Sequence, residues 1–230
     1  MANLTLITGA NRGIGLEFCR QYLRHGDTVI ACCRHPEQAE TLQQLAEQYP
    51  SQLELVALEL AEPAQFDSLS AYLGERTLDR LILNAGVYGP KGLAFGEYQP
   101  EHFELVMRIN VAAPMLLTQA LAANLGQGSK LALLSSKMGS ITDNGSGGSY
   151  AYRASKSALN AVGKSLAIDL QARGVAVALL HPGWVQTDMG GPNAWITAEV
   201  SVRGMRHVIE QLTLVDSGTF YNYDGTELPW

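Results

Sequence analysis

Cysteine is scarce, with three in 230 residues, and its arrangement narrows what it can do. Cys19 stands alone while Cys32 and Cys33 are adjacent, so neither a disulfide framework nor a zinc site fits. They read as packing residues of a reducing compartment. Long apolar runs are missing too. None approaches the roughly 18 residues of a membrane-crossing helix. The opening Met1-Ala2-Asn3-Leu4-Thr5-Leu6-Ile7 lacks the basic stretch and cleavage site of a secretion signal and reads directly as a strand. Basic charge is sparse: 16 Lys and Arg stand against 22 Asp and Glu, for a net charge of -6. No basic stripe is visible, which argues against nucleic acid as a partner. No His, Cys and Asp cluster has metal-ligand spacing. There is no internal repeat and no linker. The expectation is one cytoplasmic domain over 1–230 with no membrane or nucleic-acid partner, carrying a small substrate-side segment at about 184–214.

What is present is alternation. Short apolar runs at 4–8, 28–33, 53–58, 80–84, 130–135 and 175–181 have the look of buried parallel strands. Between them, 13–25, 36–49, 100–125 and 150–173 have helical spacing, the last two being the longest. Strand and helix in repetition predict right-handed crossovers: an α/β, doubly wound, mostly parallel seven-stranded sheet of Rossmann type with helices on both faces. Ligands of such sheets bind at the carboxyl ends of the strands. Two stretches interrupt the pattern. Residues 143–149 are nearly all Gly, Ser and Asn, which predicts a mobile loop, and 190–194 hold two Gly and a Pro. Both are candidate lids.

The first strand runs into Thr8-Gly9-Ala10-Asn11-Arg12-Gly13-Ile14-Gly15. Gly9, Gly13 and Gly15 allow a tight turn and close approach of backbone to a pyrophosphate at the start of the next helix. The spacing is not the commoner Gly-x-Gly-x-x-Gly, whose third glycine would fall at Phe18. The second strand ends in Cys32-Cys33-Arg34, with no carboxylate before Glu37. An acidic residue there would hold a ribose 2′-hydroxyl; Arg34 and Arg12 would instead hold a 2′-phosphate. The expected cofactor is NADP(H). Glu59-Leu60, after the third strand, would face the adenine, and Asn84-Ala85-Gly86, after the fourth, would lie along the cofactor.

Tyr152 and Lys156 are four apart on a helix and share a face. A free phenol, with a pKa near 10, is a weak proton donor at neutral pH. An ammonium about 4 Å away would favour the phenolate by roughly 4 kcal/mol at an effective dielectric near 20. Lys156 is therefore expected to lower the Tyr152 pKa. Tyr150, six residues from Lys156, points elsewhere. Either Ser135 or Ser136, at the end of the fifth strand, is placed to bond a substrate carbonyl, and strand alternation does not choose between them.

Taken together, Thr8 to Gly15, Asn84-Ala85-Gly86, Asn110, Ser136, Tyr152-Arg153-Ala154-Ser155-Lys156 and Pro182-Gly183 resemble the short-chain dehydrogenases/reductases over almost the whole chain. The run from Tyr152 to Asn160, the stretch His181-Pro182-Gly183-Trp184-Val185-Gln186-Thr187-Asp188-Met189-Gly190, and the ending Tyr223-Asp224-Gly225 with Leu228-Pro229-Trp230 resemble the C-factor-like and Sniffer-like carbonyl reductases. The resemblance implies a tetrad: Tyr152 as general acid, Lys156 on the nicotinamide ribose, Ser136 orienting the carbonyl, and Asn110 holding a water. It also implies that Pro182, Gly183, Val185 and Thr187 contact the nicotinamide. Ser136 and Tyr152 are 16 apart, longer than the family's habit, and Glu59 stands where Asp is commoner.

Tyr88, Met138, Ile141, Trp184, Met189 and Trp195 are expected to line the substrate side, with no Arg or Lys placed to hold a carboxylate. That lining suits a small, mostly apolar aldehyde, ketone or quinone. The alternative is a signalling protein of C-factor type that binds NAD(P)(H) without turnover. The resemblance also allows homodimers or homotetramers formed through 100–125 and 150–173.

Overall fold

The computed structural model describes residues 2–230. Seven strands form one all-parallel sheet in the order β3-β2-β1-β4-β5-β6-β7. They are β1 (Leu4–Thr8), β2 (Thr28–Cys33), β3 (Leu53–Ala57), β4 (Arg80–Leu83), β5 (Lys130–Leu134), β6 (Ala176–His181) and β7 (Thr219–Asn222). The order reverses between β1 and β4, so a crevice opens at their carboxyl ends.

Both faces are covered. One core layer packs α1 (Gly13–Arg24), α2 (Glu40–Gln48) and a later helix, Ala198–Gln211, against Ile7, Val29, Ala31 and Leu180. The other packs α3 (Ala64–Leu73), α5 (Ala113–Ala120) and α6 (Tyr150–Asp169) against Leu6, Ile30, Leu81 and Leu179, with α4 (Pro100–Met107) resting on α6. Strand residues alternate between the two layers, and both sides are apolar, which is why these strands read as continuous apolar runs. Helix α7 (Ala198–Gln211) buries Val202, Met205 and Ile209 in the α1 layer. Of the segment expected at 184–214, this half is therefore a covering helix of the sheet. Cys19, Cys32 and Cys33 are buried, and burial pushes their thiols up, so they stay protonated.

The helix expected over 100–125 is broken. Between α4 and α5 lies one π-turn, Arg108–Ala112, in which the Ala113 amide reaches back five residues to the Arg108 carbonyl. Pro114 explains it. A proline has no N–H for the carbonyl four residues earlier, here that of Asn110, and its ring clashes with it. The backbone widens one turn upstream, and Asn110 sits at the centre of the widened turn.

Candidate active site

The glycine turn comes first. Gly9 and Gly13 have φ of +66° and +53°, and a Cβ on Gly15 would lie 2.2 Å from the Gly9 carbonyl oxygen. No larger residue fits this path. The turn is braced from β4: the Thr8 hydroxyl accepts from the Asn84 and Ala85 amides, each at 3.1 Å, and Asn84 Nδ2 donates to the Thr8 carbonyl at 2.8 Å. Asn84 thus supports the cradle. Ile14 follows Gly13 into the first turn of α1, which carries no acidic residue and no side-chain cap to occupy its amides.

Beside the turn, Asn11, Arg12, Arg34, His35, Gln38 and Ala39 line a polar recess of about 240 Å³ without a carboxylate. Among the described residues Arg34 has no ion-pair partner. Arg12 faces two ways. It lines the recess, yet its guanidinium donates to Asp188 at 2.7 Å on the loop after β6, with both side chains largely exposed. The chemistry of this recess fits a ribose 2′-phosphate. Glu59 and Leu60 are spent locally: a Glu59 carboxylate oxygen accepts from the Ala61 amide at 3.0 Å, and the Leu60 side chain is in the core.

On the far side of the crevice, β5 ends at Ser135 and Ser136, and the structure separates them. Ser135 donates to Asn160 Oδ1 at 2.5 Å inside the protein. Ser136 accepts from the Met138 amide at 3.2 Å and lies beside the Tyr152 hydroxyl. Lys156 is one helical turn further along α6, buried, with its ammonium donating to the Leu134 carbonyl at 2.8 Å and 5.8 Å from the Tyr152 ring centre. Gly86 passes close above: a Cβ there would meet Asn110 Oδ1 at 3.1 Å and Lys156 Nζ at 3.6 Å. Asn110 is fully engaged, accepting from the Val87 amide at 2.9 Å and donating to the Val87 carbonyl at 2.8 Å and the Ser155 hydroxyl at 3.0 Å. The widened turn at Pro114 is the sequence signal that would have marked it.

The expected lowering of the Tyr152 pKa is overturned. Burial pushes the phenol up to about 12, opposed only in part by the Ser136 hydroxyl. Burial also pushes the Lys156 ammonium down to about 8. The same dry wall that brings the pair together disfavours the charged form of each.

The residues expected to contact the nicotinamide share one loop. Val185 is buried and bridges Ile196, Thr187 accepts from the Gly190 amide at 3.2 Å, its methyl would lie 3.3 Å from a Cβ on Gly13, and Pro182 accepts from Ser201. Gly183 lies against Ile196 and Tyr223. The expected substrate residues divide. Tyr88 and Met189 line a cavity of about 480 Å³ with Arg12, Gly86, Lys91, His102 and Leu105. Trp184 and Trp195 instead pack edge to face at 5.4 Å on the rim, and Ile141 is 78% exposed; neither they nor Met138 line the cavity. A lysine stands at this cavity as well. Lys91 stands 5.6 Å over the Tyr88 ring and donates to the Met189 carbonyl at 3.2 Å. It lies in a loop without periodicity, so spacing alone did not find it.

The 143–149 loop is tied to the helix that follows it. Arg153 donates to the Gly147 carbonyl at 3.2 Å, the Ser146 hydroxyl at 2.8 Å and the Met138 carbonyl at 3.3 Å, clasping the loop to α6.

A sequence model described as short chain dehydrogenase matches residues 3–194. The chain belongs to the short-chain dehydrogenase family. Within it, the chain is 46% identical over 155 residues to the C-signal of Myxococcus xanthus, covering 66% of this chain and 93% of that one. Among solved structures it is similar to the carbonyl reductase Sniffer of D. melanogaster, with TM-score 0.92 and 35% identity over all of both chains. It is equally similar to an NADPH-bound carbonyl reductase from chicken fatty liver, with TM-score 0.93 and 34% identity over 100% of this chain and 99% of that one. As a family member the chain has its glycine turn, Ser136, Tyr152 and Lys156 along one crevice. Among the described residues no cluster of His, Cys, Asp or Glu could hold a metal ion, and no helix is long and apolar enough to cross a membrane.

Proposed function

We propose that the chain is an NADPH-dependent carbonyl reductase whose general acid is Tyr152. The observation that carries this reading is a buried phenol beside a strand-end serine and a buried lysine, facing the crevice that the glycine turn opens. When bound, NADPH supplies the hydride. The glycine turn and the first amides of α1 would hold its pyrophosphate, Arg34, Asn11 and Arg12 its 2′-phosphate, and the loop from Pro182 to Thr187 its nicotinamide end. Lys156 would bond the adjacent ribose.

Ser136 donates a hydrogen bond to the substrate carbonyl oxygen, and the Tyr152 hydroxyl delivers a proton to it. A phenol held up to about 12 is fully protonated at neutral pH, the form a donor needs. Its weakness as an acid is offset as the proton leaves. Protonated Lys156, 5.8 Å from the ring centre, favours the phenolate as it forms. Asn110 fixes the Val87 backbone beside Lys156 and keeps the crevice wall in place.

Tyr88, Met189 and Leu105 support a small, mostly apolar aldehyde, ketone or quinone as the substrate. Exposed Leu105, Met115 and Leu116 on α4 and α5, and Ile168 on α6, support pairing of copies through these helices. The likeness to C-signal supports one other reading, a protein that binds the dinucleotide without turnover. Oxidation of NADPH across a panel of aldehydes, ketones and quinones separates the two. Turnover that falls by about 10²–10⁴ in Tyr152→Phe, with NADPH still bound, supports the reductase. Tight NADPH binding without turnover on any substrate supports the binding protein.

A further inference from the structure

We propose that Ser149 is a positioning residue for this reaction: its hydroxyl holds the Tyr88 ring flat against the Tyr152 ring. The inference rests on the reading of Tyr152 as the proton donor. Ser149 is the one non-glycine among the described residues with positive φ, at 47° with ψ of 40°. A side chain in that left-handed region is strained unless its surroundings compensate. Ser149 also occupies the N-cap of α6, where a serine ordinarily accepts a hydrogen bond from the first turn. It makes no such bond. Two local preferences are given up at one residue, and its hydroxyl goes instead to the Tyr88 hydroxyl at 2.8 Å.

Tyr88 is where that sacrifice is felt. Its ring is stacked on Tyr152 with centres 4.4 Å apart and planes at 24°. Lys91 lies over the Tyr88 ring and is tied to Met189. Tyr88 is therefore held at its hydroxyl by the 143–149 loop and on its faces by α6 and the cavity rim. Arg153, clasping Ser146 and Gly147, keeps the loop where Ser149 can reach. A phenol that must place one proton on a carbonyl gains from a ring that cannot tilt, since small misplacements at the reacting centre are costly.

The test uses Tyr88→Phe, Ser149→Ala, Ser149→Gly and the Tyr88→Phe/Ser149→Ala double variant of the full chain. Tyr88→Phe and Ser149→Ala are each expected to lower kcat about tenfold with the KM for NADPH unchanged. The double variant falls no further than either single, because all three lose the same bond. Ser149→Gly relieves the backbone strain and folds at least as stably as the native chain, yet loses the same kcat, which separates positioning from stability. Single variants within about twofold of native kcat, or losses that multiply in the double, overturn the proposal. A native chain without turnover sinks the reductase reading. In that case NMR of the Tyr152 ring still decides the inference: faster ring flipping in Ser149→Ala supports it, and unchanged flipping overturns it.

Discussion

The two ends of the sheet both bury ionisable groups, and they treat them in opposite ways. At the amino end, Arg80 is 5% exposed and its guanidinium meets Glu210 at 2.9 Å and Asp27 at 3.5 Å. Arg80 and Arg206 each lie over the Tyr22 ring, and Lys130 donates to the Glu210 carbonyl at 2.6 Å. At the carboxyl end, Lys156 is equally buried and has one carbonyl and no carboxylate, and Tyr152 faces a serine. Paired burial ties α7 to β4 and β5. Unpaired burial strains the fold and leaves a proton poised to move, which is why shifted groups of the second kind mark chemistry.

Substitutions at the two ends should diverge. The largest effect is expected at the amino end. Arg80→Met strands Asp27 and half-buried Glu210, and should cost about 3–5 kcal/mol in urea unfolding. Native-condition kcat/KM should be unchanged; a loss of activity without a loss of stability would erase the contrast. Lys156→Met should do the reverse, abolishing turnover while stabilising the chain by roughly 3 kcal/mol at pH 7. The sign follows from the depressed ammonium. Burial takes it from 10.5 to about 8, so the penalty is full below pH 8 and gone above 10.5. The stability gap between native and variant, followed by thermal melts, should close across that window. A gap independent of pH would mean that the ammonium is not the source. The smallest effect is expected where the carboxyl end is open to solvent. Arg34→Asp should shift preference from NADPH toward NADH by about ten- to a hundredfold in titrations followed by fluorescence, with Tm nearly unchanged.

The contrast also marks what could be read in one dimension. Six strands stood out as short apolar runs, and the crevice followed from their alternation with the helices. The four residues of β7, half exposed, carried too little pattern. Spacing put Tyr152 and Lys156 on one face of a helix, and the glycines named the cradle. Alternation left Ser135 and Ser136 equal, because what separates them is Asn160, which takes the first and leaves the second free. The cluster of Arg80, Asp27 and Glu210 is drawn from segments far apart in the chain, and no local window contains it. Ser149 was not singled out within the Gly, Ser and Asn stretch, since the hydroxyl it bonds belongs to a ring 61 residues away. The acidity of the phenol was misjudged for a physical reason: attraction to an ammonium can be counted from spacing, whereas loss of water cannot.

The widened turn at Pro114 sets a rule for lengthening or shortening this protein. A chain one residue shorter between 108 and 112 would lose the widened turn and drive the Pro114 ring against the carbonyl four residues before it, and each residue removed swings what precedes it by about 100° around the axis. Val106 would leave the core and the exposed Leu105 would turn with it. The proline therefore acts as a frame mark: homologues that keep it should tolerate indels on either side of this stretch far better than within it.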